Sequence, residues 1–173
     1  LKNVLNYREQ TSSLAAGKKV CIASILDPVA YERCRSAQVG DSVHVSIGVG
    51  DREYSQPVTV TGVLKTKGHL LGYLGSEGDV IGGTCTITIG DLDVVIANKA
   101  SSFVSARHFA MAGLNLEEYD VVIVKQGYLF AELSKLAQKS LFALTPGATQ
   151  QQLERIPYRH LTRPIFPFDD VSL

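Results

Sequence analysis

The sequence predicts an α+β domain with a mixed β-sheet, and two patterns lead to this prediction. Alternation of apolar and polar residues in segments between 42 and 98 is typical of antiparallel hairpins. Between 120 and 145, a strand pattern, a helix pattern and a second strand pattern follow one another with short links, which is typical of a βαβ unit. The helices are expected to pack on the sheet, and a proline-rich strap at 155–170 is expected to run extended over the domain surface.

The amino-terminal part is predicted to form a helix, a strand and a second helix. Residues 2–16 have the composition of a short helix, and residues 18–26 (KKVCIASIL) have that of a buried strand. Asp27 can then accept a hydrogen bond from the first turn of a helix, and Pro28 suits a first helical position, where no amide donor is needed. This helix is expected to stop near Gly40.

Two hairpins follow. In the first, residues 42–47 place three β-branched side chains on one face, and residues 57–65 return antiparallel to them. In the second, residues 84–89 lead through the two-residue turn Gly90-Asp91 into residues 92–98. Antiparallel strands of this kind favour a half-solvated or sandwich-like sheet over a doubly wound one.

The carboxyl-terminal half predicts parallel strands that share an edge. A helix at 104–113 ends at Gly113, and strand 120–124, helix 129–139 and strand 141–145 follow. If strands 120–124 and 141–145 are parallel, the turns after them lie at the same carboxyl edge of the sheet. Ligands of open α/β sheets bind at that edge.

Composition narrows the classes of partner. The 173 residues carry 17 Lys and Arg against 17 Asp and Glu, so no net charge favours nucleic acid or an anionic membrane. No apolar run is long enough to cross a bilayer. Three widely spaced cysteines are expected to be core thiols in a reducing cytoplasm. Because the chain begins with Leu1 and its one methionine is Met111, we expect a single domain, 1–173, taken from a larger protein.

The residues offer few candidates for a chemical site. The four histidines lie on different predicted elements, so no metal site is expected from this chain alone, and His108 is expected at the surface or an interface. The glycine-rich segment 78–84 leads into a strand and not a helix, which favours a turn or bulge over a phosphate loop. Lys125 and Tyr128, on either side of Gly127, could bind substrate at the carboxyl edge. Alternatively, Lys125 caps backbone carbonyls and Tyr128 is half buried.

Several motifs in order resemble the carboxyl-terminal domain of the microcystinase C (MlrC-like) family. They are KQGYL at 125–129, LTPG at 144–147, LERIPYR at 153–159 and RPIFPFD at 163–169. The resemblance covers about residues 18–170.

The resemblance implies a two-domain, zinc-dependent peptidase of which this chain is one part. The family's zinc ligands belong to an amino-terminal domain, so no cofactor is expected within this chain. Partners implied are that amino-terminal catalytic domain and a small peptide or amide substrate; a homo-oligomer and a non-catalytic assembly role stay open. The residues expected to contact substrate or the catalytic domain are Lys125, Gly127, Tyr128, Thr145, Ser101, Arg107 and His108.

Overall fold

A computed structural model of the chain describes residues 17–48, 56–74, 76, 78–143 and 152–170. The chain divides into two compact units, residues 1–139 and 140–173, which we describe separately as the larger and the smaller unit. The helix predicted at 2–16 lies outside the described residues.

The larger unit is built on a six-stranded mixed sheet with strand order β2-β3-β4-β5-β1-β6. The strands β5, β1 and β6 run parallel, and β2, β3, β4 and β5 pair antiparallel in sequence order. The α+β class with a mixed sheet, predicted from the sequence, is therefore confirmed. The strands are β1 (Val20–Leu26), β2 (Ser42–Ile47), β3 (Val58–Leu71), β4 (Val80–Ile89), β5 (Leu92–Ala97) and β6 (Val121–Val124).

Within the described ranges, three α-helices accompany the sheet: α1 (Pro28–Ser36), α2 (Ala106–Met111) and α3 (Ala131–Leu136). A short 3-10 turn at Leu116–Glu118 precedes β6. The start of α1 follows the predicted mechanism, because the Asp27 carboxylate accepts a hydrogen bond from the amide of Ala30 at 2.9 Å. The second oxygen of Asp27 accepts from the amide of Gly48 at 2.9 Å, which ties the end of β2 to the end of β1.

Apolar residues pack on both faces of the sheet because neighbouring residues of a strand point to opposite sides. One face is covered by α1, whose Tyr31 and Cys34 belong to the same apolar cluster as Val20 and Ile22. The other face is covered by α2, whose Phe109 belongs to a second cluster with Cys21 and Ala23. The central strand β5 is buried along its whole length.

Glycines allow both helices to approach the sheet closely. A Cβ atom on Gly83 would lie 2.1 Å from the hydroxyl oxygen of Tyr31, and one on Gly68 would lie 2.6 Å from the Cα of Ala112. The glycine-rich segment 78–84 thus serves packing. It contains a turn at Gly78 and a register shift between Val80 and Gly82, which lie opposite Leu71 and Leu70 of β3, as the turn-or-bulge interpretation predicted.

The structure differs from the predicted βαβ unit. The parallel neighbour of β6 is β1, with Val20 opposite Val121. Residues 141–143 form no strand, and residues 144 and 145 lie outside the described residues. The local sequence pattern identified the strand and the helix correctly. It could not identify the strand's partner, because that partner lies about a hundred residues earlier in the chain.

The smaller unit, described at 140–143 and 152–170, is a proline-rich segment with one 3-10 turn at Leu153–Arg155. The carboxylate of Asp169 binds the Arg163 guanidinium and accepts a hydrogen bond from the amide of Ile165 at 2.8 Å. The ring of Phe168 lies edge-on to Tyr158, with 5.3 Å between ring centroids. These contacts close a compact loop, and the packing of this segment as a strap over the domain stays a prediction.

Candidate functional site

The parallel strands β1, β5 and β6 end at the same edge of the larger unit. We call the segments that follow them, together with the ends of the β3–β4 connection, the carboxyl-end rim: residues 26–29, 72–74, 78–80, 98–105 and 125–130. The rim includes the turn 125–128, so its predicted position at the carboxyl end of a parallel strand is confirmed.

Serine hydroxyls hold the rim segments together. Ser24 Oγ donates to the carbonyl of Ser101 at 2.6 Å, and Ser101 Oγ donates in turn to the carbonyl of Leu71 at 2.6 Å. Ser102 Oγ donates to the carbonyl of Lys125 at 3.3 Å. The ends of β1, β3 and β6 are thereby joined through the segment after β5. Ser101, one of the predicted contact residues, has its hydroxyl engaged in this framework.

The Lys125 and Tyr128 side chains project from the rim. Lys125 is exposed and its ammonium group makes no ion pair or hydrogen bond with any described residue. Tyr128 is 63% exposed, and its ring lies 5.3 Å from that of Phe130. Neither of the structural alternatives, carbonyl capping by Lys125 or half-burial of Tyr128, matches this arrangement. Gly127 lies between them in the same turn, and Thr145 lies outside the described residues.

Helix α2 contributes one exposed and one buried residue to this region. Arg107 is exposed, and its guanidinium lies beside Gly78. His108 is only 4% exposed, so the expectation of a surface position was wrong. Its ring packs against Phe103, and its Nδ1 lies 2.8 Å from Ser105 Oγ. Burial lowers the pKa of His108, although the nearby backbone of Gly72 and the carboxylate of Glu132 oppose that shift.

Apolar side chains are also exposed on the rim. Every rim segment except the one after β5 contributes some of them: Leu26, Val29, Leu74, Val80, Tyr128 and Leu129. The exposed cations Lys99 and Lys125 lie in the same segments, as does the exposed anion Asp79, and Arg107 on α2 lies beside Gly78. The rim therefore combines apolar surface with charged side chains, a combination that suits a polypeptide.

Gln126 is a rim residue that the sequence did not single out. Its side-chain oxygen and nitrogen are both shielded from solvent, and neither makes a hydrogen bond with a residue in the described ranges. The rest of the residue is half-buried. The sequence could not predict that the Gln126 carboxamide is buried, because its burial depends on which residues surround the side chain in the fold.

The opposite edge of the sheet holds a polar cluster, which we call the amino-end cluster: Lys19, Lys65, Asp93, Glu118 and Tyr119. Asp93 on β5 is 1% exposed and accepts from Lys65 Nζ at 2.7 Å and from the Tyr119 hydroxyl at 2.6 Å. Thr88 Oγ1 donates to its other oxygen at 2.6 Å. Lys65 reaches Asp93 from a register shift in β3, between Leu64 and Thr66.

The pKa values in this cluster follow from its hydrogen bonds. Burial alone would raise the pKa of Asp93, but hydrogen bonds from Lys65, Thr88 and Tyr119 together lower it. Burial and the Asp93 carboxylate raise the pKa of Tyr119. Asp93 is therefore ionised and Tyr119 neutral near pH 7. Every polar group around Asp93 has a partner, and the cluster acts as a structural brace.

The described residues offer no metal centre. No group of three or more His, Cys, Asp or Glu side chains in the described ranges is placed to hold a metal ion. The three cysteines are free and buried. Burial raises the pKa of Cys21 and of Cys85 to about 12, so neither thiol is a ready thiolate ligand at neutral pH.

None of the helices in the described part of the chain has the length and apolar character that a bilayer crossing requires.

Comparison with known proteins identifies the family. No curated protein matches the chain. A crystal structure of a candidate metallopeptidase from Mesorhizobium sp. BNC1 matches with a TM-score of 0.70 over 97% of this chain, at 18% sequence identity, which shows a shared fold. This chain spans 35% of that protein's length. The family model described as "MlrC C-terminus" matches residues 1–160, and the chain therefore belongs to the MlrC C-terminal family.

Proposed function

We propose that this chain is the carboxyl-terminal domain of a metallopeptidase-like hydrolase, and that its carboxyl-end rim forms one wall of the substrate cleft. The observation that carries this proposal is the Lys125 ammonium, which has no partner among the described residues, beside the exposed Tyr128 at the carboxyl end of a parallel strand. The family membership and the larger size of the structural neighbour support a parent protein with a further domain.

The metal of the parent protein is proposed to be zinc, held outside this chain. The described residues do not fit a zinc site, because no set of three ligand side chains converges anywhere in them. Accordingly we assign this domain the binding and orientation of substrate only. The substrate class is a small peptide or amide, as in the degradation of linear microcystin by the enzyme that gives the family its name.

Each rim residue has a proposed role that its placement suits. Lys125 contacts a carboxylate or carbonyl oxygen of the substrate, and Tyr128 donates a hydrogen bond from its hydroxyl. Arg107 supplies a second exposed cation beside the rim. Ser101 and His108 hold the rim segments in place from below, and Gly127 lets the turn pass close to a ligand.

Kinetics of the full-length protein test this proposal. We expect Lys125→Ala and Tyr128→Phe each to lower kcat/KM for peptide hydrolysis by about tenfold, the effect of losing one hydrogen bond to a charged or developing-charge group. Lys18→Ala is the matched control, because Lys18 is an exposed lysine at the opposite edge, paired with Asp120 at 3.3 Å. Unchanged kinetics in both rim variants would mean that the rim has only a structural role.

A second candidate function is a non-catalytic module for interdomain packing or oligomerisation. The exposed apolar side chains of the rim favour it, because contiguous apolar surface on a soluble domain marks an interaction site. Sedimentation of the isolated chain distinguishes the two. A dimer that dissociates when Leu74 and Val80 are changed to serine supports oligomerisation. A monomer excludes oligomerisation, and unchanged kinetics of Lys125→Ala and Tyr128→Phe would then favour interdomain packing over the cleft wall.

We further propose a cytoplasmic location. The three buried thiols support it, because unpaired cysteines are ordinary in reducing compartments. Fractionation of cells that produce the full-length protein is the measurement that checks it.

A further inference from the structure

The strand β2 lies at one edge of the six-stranded sheet, and its pairing with β3 determines which of its backbone groups point away from the sheet. The amide of Leu64 donates to the carbonyl of Asp41 at 2.9 Å, one position before Ser42 and Val63 lie opposite each other. Bonded and non-bonded pairs alternate along an antiparallel ladder. The residues whose N–H and C=O groups point outward are therefore Ser42, His44 and Ser46.

This edge is open along its middle. The amide of Gly48, the next residue in the outward series, donates to the Asp27 carboxylate at 2.9 Å, which supports the alternation and closes one end of the edge. Between Ser42 and Ser46, the outward backbone groups find no partner among the described residues. The stretch also lacks the features that protect edge strands from pairing, because it contains no proline, no lysine and no register shift. An edge of this kind is a template for a further strand.

The sequence of the open stretch identifies the further strand as a second copy of β2. Residues 42–46 read SVHVS, which is the same in both directions. An antiparallel pair of β2 strands centred on His44 places Ser42 opposite Ser46 and Val43 opposite Val45, and two-fold symmetry repeats both matches. Every outward residue of the stretch then lies in a hydrogen-bonded pair. Centring the pair on Val43 or Val45 instead places Ser46 or Ser42 opposite a residue beyond β2.

The side chains of the stretch suit this pairing. Val43 and Val45 are buried in the apolar cluster under α1, so two paired strands would join the apolar layers of both copies. His44 is exposed on the opposite face, where its Nδ1 lies 2.9 Å from Thr61 Oγ1 of the same chain. The chain carries 17 basic and 17 acidic residues, so no net charge keeps two copies apart.

We propose that β2 is a self-association surface, through which two copies of this chain pair antiparallel with His44 at the two-fold axis. The two sheets then form one continuous sheet. This surface lies at the opposite edge of the sheet from β6, which precedes the turn 125–128. The proposal is therefore independent of the substrate cleft.

Analytical ultracentrifugation of the chain 1–173 tests the surface. The wild type is expected to dimerise, and His44→Asp is expected to raise the dissociation constant about tenfold, because two carboxylates then meet at a pair whose Cα atoms are about 5.5 Å apart. His69→Asp is the matched control, because His69 is an exposed histidine on β3 that pairs with β4, away from this edge. The control and the change of Leu74 and Val80 to serine should leave the dimer intact.

Thiol cross-linking determines the register. The three native cysteines are buried, so a short bifunctional thiol reagent reports introduced cysteines. His44→Cys should cross-link to its own copy. Ser42→Cys and Ser46→Cys should each fail to do so alone, because equivalent residues are then offset by about 13 Å along the strands. An equimolar mixture of these two variants should cross-link.

Three results overturn the proposal. The first is a wild type that stays monomeric at millimolar concentration, and the second is a dimer that His44→Asp does not weaken. The third is Ser42→Cys that cross-links to its own copy, which shows a different register. Should circular dichroism show that His44→Asp is unfolded, the cysteine variants decide: cross-linking of the mixture supports the pairing, and its absence overturns it.

Discussion

Replacing Asp93 by asparagine should destabilise the domain strongly, because it removes the one carboxylate at the centre of the amino-end cluster. Asp93 is 1% exposed and receives hydrogen bonds from Lys65, Thr88 and Tyr119 at 2.6 to 2.7 Å. Asparagine keeps the size but leaves the Lys65 ammonium with Glu118, at 3.6 Å, as its remaining counter-ion. The NH₂ group of the asparagine would also face the donor groups of Lys65, Thr88 or Tyr119.

The magnitude follows from the burial of the pair. Removing one partner of a buried ion pair costs about 3–5 kcal/mol. The Lys65 side chain is 28% exposed, so water recovers part of its solvation, and we expect the lower end, about 3 kcal/mol. For a chain of this length that corresponds to a melting temperature lower by about 6–12 °C. Urea unfolding followed by circular dichroism measures the free energy directly.

The pH dependence gives a second readout with a definite sign. The folded-state pKa of Asp93 lies below its unfolded value, so its contribution to stability is present above the unfolded value, about 3.9, and is lost as pH falls through the folded value. The wild type should therefore lose more stability than Asp93→Asn between pH 5 and pH 3. The double variant Asp93→Leu with Lys65→Met should recover much of the loss, because no charge is then left unpaired. Equal stability and equal acid dependence in wild type and Asp93→Asn would refute this reasoning.

Three further outcomes are expected. Gly68→Ala should destabilise the chain by about 2 kcal/mol or more in urea unfolding, because its Cβ would lie 2.6 Å from backbone atoms of Met111 and Ala112. A change within about 0.5 kcal/mol would show that α2 does not pack so closely against β3. His108 has a lowered pKa in the folded state, so the domain should lose stability as pH falls below about 6.5. His108→Phe should remove that dependence. An unchanged dependence of stability on pH in this variant would mean that another group titrates. Lys125→Ala and Tyr128→Phe should lower kcat/KM of the full-length protein about tenfold. Because both side chains are exposed, the unfolding free energy of the chain should stay within about 0.5 kcal/mol of wild type. A loss of stability that accompanies the loss of activity would point to misfolding.

The sequence predicted the elements whose signals are local. The strand before Asp27, the helix begun by Asp27 and Pro28, and the strand Ser42–Ile47 all follow from alternation and capping within a few residues. The strand β3 extends six residues beyond its predicted end, to Leu71, because the register shift at Lys65 breaks the alternation while the ladder continues. Such an extension depends on the partner strand, which the local pattern does not contain.

Long-range pairing and side-chain states were beyond local pattern. The parallel neighbours of β1 lie about seventy and a hundred residues later in the chain, so the local pattern gave no sign that β6 pairs with β1. The position of Lys125 and Tyr128 at a strand's carboxyl end was predictable, since it needs only the end of an apolar run. The burial of His108 and Asp93 was not, because each depends on contacts with another element: Phe103 for His108, Lys65 and Tyr119 for Asp93.

The measurement that tests the central claim most directly is the distance between the metal of the full-length protein and the two edges of this domain. With manganese(II) in the metal site, paramagnetic broadening of backbone amide signals in NMR reports which edge faces it. The account predicts selective broadening at residues 125–130 of the rim, with Glu118 and Asp120 at the opposite edge unaffected. Broadening at Glu118 and Asp120 instead, or stoichiometric manganese bound to residues of this domain itself, would contradict it.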